Sequence, residues 1–131
     1  MLIYIPPAMM DWLLFFVFFA VFYSAGKHGL GTAKCALLGI LFQVGYMVFS
    51  LAVGHWLNRR NAKPVLIAST VLCGAASVLG LCSTSITWLA AAMLILGSGA
   101  AFFFNSFQTF MRGEAAPGEL KYSVAMYTLS W

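Results

Sequence analysis

Charged residues divide the chain into long stretches that carry none. Asp11 and Lys27 bound fifteen residues, WLLFFVFFAVFYSAG. Lys34 and Arg59 bound 24, from Cys35 to Asn58. Lys63 and Arg112 bound 48, from Pro64 to Met111. Apolar positions run continuously through these stretches, without the two-residue alternation of a membrane barrel. A helix needs about 20 apolar residues to cross a bilayer. The first stretch approaches that length, at roughly 18 residues, when extended back to Ala8. There it meets the Pro6–Pro7 pair, which a helix tolerates only in its first turn. As one helix the third stretch would be about 72 Å long. It must therefore hold two spans, with the turn at its one polar cluster, CSTSIT, from Cys82 to Thr87. The pattern predicts helices over 8–25, 34–57, 64–82 and 86–110, and an incomplete fifth from 122. The expected fold class is all-α, a polytopic membrane helix bundle occupying residues 1–131.

Composition removes the competing classes. The chain is 63% hydrophobic and 8% charged, with a mean hydropathy of +0.94. A soluble domain carries about 25% charged residues, because a small protein must cover a large surface with polar groups. These numbers exclude an ordinary soluble enzyme, a nucleic-acid module and a disordered tail. The net charge of +4 forms no continuous patch, so it speaks of topology and not of nucleic acid. A signal peptide is excluded because residues 1–11 hold no Lys or Arg and further spans follow directly. Cationic residues are retained on the cytoplasmic side. The 2–3 connection carries Arg59, Arg60 and Lys63, and the 4–5 connection carries Arg112 and Lys121. Against these five stand Lys27 and Lys34 on the other side. The expectation is a multi-pass protein of the cell membrane, the inner membrane in a bacterial cell, with its N-terminus cytoplasmic.

Little in the chain suggests covalent chemistry. Cys35, Cys73 and Cys82 form no ligand spacing, and their odd number argues against a disulfide framework. Cys73 reads as a small hydrophobe, while Cys35 and Cys82 lie near outer helix ends, which leaves room for one bridge. His28 and His55 lie at opposite membrane edges without an acidic partner. No metal site, cofactor or enzymatic cluster is expected. Asp11 reads as an interfacial charge near the positive end of the first helix. Small residues recur in the spans: Gly39, Gly45, Ser50 and Gly54 in the second, Gly74 and Gly80 in the third, Gly97 and Gly99 in the fourth. Close backbone approach is how helices associate in lipid. The Gly97–Gly99 pair also offers a place to bend. Polar side chains within the spans are costly and tend to face cavities or other helices. Gln43, Asn105 and Gln108 are therefore candidates for lining a translocation path. Asn105 and Gln108, three apart, share a helical face. No acid or base falls in the middle of a span, so proton coupling either uses other parts of a larger protein or is absent.

The segment GHWLNRRNAKPVL, Gly54 to Leu66, resembles the signature loop of the major facilitator superfamily. Gly54, Arg59 and Lys63 match conserved places of that motif, and Val65 and Leu66 match its aliphatic continuation. Asn58 stands in place of the motif's Asp, Asn61 in place of its second Gly, and Ala62 in place of its first basic residue. The short outer 3–4 turn, the small-residue fourth helix and the connection RGEAAPGELK agree with the family's layout. The frequent fourth-helix Arg is missing, since Met93 occupies its place. The resemblance implies a secondary transporter that moves a small solute by alternating access. By the same analogy Gly54 allows close helix packing, and Asn58, Arg59 and Lys63 serve a cytoplasmic gating loop. Asn58 keeps hydrogen bonds there but no charge interaction.

Family members commonly have twelve helices in two halves, with the substrate between them. On that analogy the chain is an N-terminal fragment with four helices and the start of a fifth, partnered by the bilayer and by the missing C-terminal helices. A second reading is a complete four-helix protein, a dimeric small-molecule exporter or structural subunit. Such small exporters depend on a Glu in the first helix, and here only Asp11, at the helix edge, is near that place.

Overall fold

A computed structural model of the chain describes residues 5–114 and 120–129. Five helices follow one another: α1 (Ile5–Lys27), α2 (Thr32–Trp56), α3 (Ala62–Cys82), α4 (Ile86–Glu114) and α5 (Leu120–Leu129). There is no strand among the described residues. The first four helices are long and apolar enough to cross a membrane. The all-α polytopic bundle read from the sequence is thus the observed fold.

Both ends of α1, the starts of α2 and α3 and the end of α4 lie beyond their expected bounds, while α2 stops one residue short at Trp56. Pro6 and Pro7 stand inside the first turn of α1, where a missing N–H breaks no helical bond. At its other end, Gly29 takes φ +75°. There the Leu30 N–H bonds the Ala25 carbonyl and the Gly29 N–H bonds the Gly26 carbonyl, each at 3.0 Å. This is the Schellman arrangement, which needs a left-handed residue just past the helix. Leu30 then packs onto the core and turns the chain into α2. The 29 residues of α4 span about 43 Å. That exceeds the roughly 30 Å hydrocarbon thickness, so α4 is longer than one crossing requires.

Contacts between helices step in register and fix their directions. Phe18 meets Phe42 edge-on with ring centroids 4.6 Å apart, and a Cβ on Gly39 would stand 3.7 Å from Phe22 Cζ, so α1 and α2 run antiparallel. Cys73 lies by Gly99 and Gly80 by Ala92, which makes α3 and α4 antiparallel. Gly45 lies by Ser98 and Phe49 by Phe102, which makes α2 and α4 parallel. The α2–α3 turn and the end of α4 therefore share one end of the bundle.

Helix α4 is the centre, with α2 on one face and α3 on another. In its most apolar stretch 56% of the residues are buried, against 22% in α1. In α1 the buried positions are Pro7, Met10, Leu14, Val17, Val21 and Ala25, a stripe at three- and four-residue spacing. Its opposite face is aromatic and open, with Trp12 78% and Phe15 81% exposed. A water-soluble protein does not carry such a face without a partner. In a bilayer it lies against acyl chains as apolar as itself.

Candidate functional site

The α2–α3 turn is held by two asparagines acting on each other's backbone. Asn58 Oδ1 accepts from the N–H groups of Arg60, at 2.9 Å, and Asn61, at 3.2 Å. Asn61 Oδ1 accepts from the Asn58 N–H at 2.7 Å. This reciprocity is that of a capping box, built here from amides. Asn61 Nδ2 also donates to the Trp56 carbonyl at 3.1 Å, satisfying an acceptor left open at the end of α2. Asn61 thus replaces a glycine with a side chain that works, and its own φ of −100° needs no glycine. The turn starts α3 two residues before Pro64, which falls in the first turn.

Arg59 extends from this turn toward α4. A Cβ on Gly113 would stand 3.0 Å from both Cγ and Nε of Arg59, so the arginine stem lies directly over that glycine. The turn and the last turn of α4 are thereby brought together. Gly113 escapes sequence reasoning because the expected helix ends before it. Lys63 is exposed in the first turn of α3. Gly54 is exposed, and a Cβ there would meet nothing within 4 Å. The close packing expected at Gly54 is not made among the described residues.

It is made at Gly97 and Gly99. A Cβ on Gly97 would overlap the Phe42 carbonyl oxygen and stand 2.9 Å from the carbonyl carbon. Across the same crossing, a Cβ on Gly45 would stand 2.6 Å from the Leu94 carbonyl oxygen. The two helices therefore touch backbone to backbone, as small residues permit in lipid. A Cβ on Gly99 would stand 2.7 Å from Cys73 Sγ, so the second glycine serves the α3 face. α4 is uninterrupted through both.

The three polar candidates occupy different places. Asn105 Nδ2 donates to Ser50 Oγ at 3.2 Å and to the Ala101 carbonyl at 2.8 Å, tying α4 to α2. Gln108 lines a cavity of about 210 Å³ between α4 and α5, with Met111, Arg112, Val124, Tyr127 and Thr128. Sharing a face does not give Asn105 and Gln108 a common partner. Gln43 is exposed in an open apolar groove along α2, beside Ala36, Gly39, Ile40, Val44 and Met47. The structure does not bring Gln43 together with the other two. Asp11 is half-buried, two turns into α1, and its Oδ2 has no hydrogen-bond partner among the described residues. Cys35, Cys73 and Cys82 are free thiols, so the bridge between Cys35 and Cys82 is not formed. The described residues include no group of three or more His, Cys, Asp or Glu able to hold a metal ion.

Comparison with curated proteins gives no match, and comparison with solved structures gives none. The sequence model of the Major Facilitator Superfamily, a family of membrane transporters, matches residues 3–131. With four membrane-length helices, a helical turn built on Asn58 to Asn61 and a glycine-packed fourth helix, the chain belongs to the major facilitator superfamily.

Proposed function

We propose that this bundle is one wall of a secondary transporter that moves a small solute by alternating access. The family match over nearly the whole chain carries the reading. Gln43, the polar group in the otherwise apolar α2 groove, lies on the path, and further helices supply the opposite wall. The small residues Gly45 and Gly97 bring α4 and α2 backbone to backbone, a contact along which α4 shifts against α2, and Gly97 and Gly99 allow α4 to bend. The five basic residues of the 2–3 and 4–5 connections support a cytoplasmic side of the cell membrane for those connections and for the N-terminus. Arg59 then latches the cytoplasmic end by resting on Gly113.

Single-cysteine labelling tests this without knowledge of the solute. With the native cysteines replaced by alanine, Gln43→Cys should react with a membrane-impermeant maleimide in vesicles. Val78→Cys, 62% exposed on α3, should face lipid and stay unlabelled. Equal failure of both positions to react from either side overturns a water path along Gln43.

A further inference from the structure

We infer that the bundle end where the α2–α3 turn meets α4 binds a phosphate-bearing anion, the headgroup of an anionic phospholipid. Folding gathers cations here from distant parts of the chain. The stem of Arg59 lies over Gly113, next to Arg112, whose side chain lines the 210 Å³ cavity between α4 and α5. Arg59, Arg60, Lys63 and Arg112 are all exposed. Glu114 is exposed beside them, yet none of the four cations forms an ion pair among the described residues. A positive-inside bias asks only that such charges lie on one side of the membrane. It does not ask that the stem of Arg59 rest on Gly113, the neighbour of Arg112, so that two like charges share one helix end. The negative end of the α4 helix dipole favours cations there. An anion held by both guanidiniums offsets their like charge, and the planar fork of arginine suits phosphate oxygens.

The surroundings select a lipid over a free phosphate. Gln108 and Thr128 give the cavity hydrogen-bonding groups, while Met111 and Val124 give it an apolar wall. Trp56, 58% exposed, ends α2 at the same end of the bundle, the position of an interfacial tryptophan. A ligand with a charged head and an apolar body matches both halves.

The test uses the full 131-residue chain in phosphatidylcholine nanodiscs doped with phosphatidylglycerol. Lipid retained after extraction into detergent is counted by native mass spectrometry. The wild type should retain phosphatidylglycerol in preference to phosphatidylcholine. Arg59→Gln and Arg112→Gln should each lower that retention about five-fold, the effect of one cation near an anionic surface. Lys27→Gln and Lys34→Gln, at the opposite end, should leave it unchanged. Gly113→Ala removes no charge but displaces the Arg59 stem, and it too should lower retention, with helicity intact by circular dichroism. Unchanged retention in Gly113→Ala and the two arginine variants overturns the site, as does an equal loss in the lysine variants. Full displacement by inorganic phosphate overturns the assignment to lipid.

Discussion

Replacing Gly97 with alanine places a methyl carbon where the Phe42 carbonyl oxygen of α2 already stands. The clash is with backbone, so no rotamer change relieves it and the helices must part. A carbon–oxygen contact needs about 3.3 Å. At the reciprocal position, Gly45, the available space is 2.6 Å, a shortfall of about 0.7 Å. At Gly97 the shortfall is larger. Overpacking of this kind costs about 1–3 kcal/mol, and parting α2 from α4 also strains the Asn105–Ser50 hydrogen bond. Against this, alanine is favoured over glycine in a helix by about 0.5–1 kcal/mol. The expected net loss for Gly97→Ala is about 2 kcal/mol, and more for Gly97→Leu. Gly54→Ala is the control, because its new methyl meets nothing within 4 Å. It should be neutral, or more stable by up to about 1 kcal/mol. Reversible unfolding by dodecyl sulfate in mixed micelles, followed by circular dichroism, measures both. Equal stability of Gly97→Ala and Gly54→Ala would refute the close α2–α4 crossing.

Two further outcomes follow from the same contacts. Asn58→Asp keeps an acceptor for the Arg60 and Asn61 N–H groups and should unfold like the wild type, whereas Asn58→Ala should lose about 1 kcal/mol; amide exchange at residues 60 and 61 reports the same loss locally. Gly99→Ala meets a side chain, Cys73 Sγ at 2.7 Å, so its destabilisation should be largely recovered in the Gly99→Ala/Cys73→Ala double variant, while Cys73→Ala should not recover Gly97→Ala.

The existence of the four spans was legible because charge is so rare here that Lys27, Lys34, Arg59, Lys63 and Arg112 fall at or near their borders, with only Asp11 set two turns inside α1. Their ends were less so. Nothing in the periodicity reveals that Gly29 closes α1 in a left-handed turn at Lys27, or that α4 runs on to Glu114. The glycines show the same limit. Gly54 and Gly97 look alike in sequence, yet one faces open space and the other a neighbouring backbone, since which helix lies opposite is decided by tertiary packing. The asparagines show it from the other side. Asn58 and Asn61 read as departures from a family motif, but their side chains rebuild the turn with amide hydrogen bonds. The polar candidates were found as residue types. Their separate surroundings, the bond from Asn105 to α2, the α5 cavity at Gln108 and the open α2 groove at Gln43, follow only from tertiary packing.

The packing of α2 and α3 on α4 is the core of this bundle, and cysteine cross-linking tests it most directly. In a chain whose native cysteines are alanine, Ser50→Cys with Asn105→Cys joins the two positions whose side chains meet at 3.2 Å. This pair should cross-link in membranes under a short bifunctional reagent. Ser50→Cys with Gln108→Cys should not, because Gln108 lines the cavity toward α5. Cross-linking of the second pair, with none in the first, would contradict a bundle in which Asn105 meets α2 and Gln108 lines the cavity toward α5.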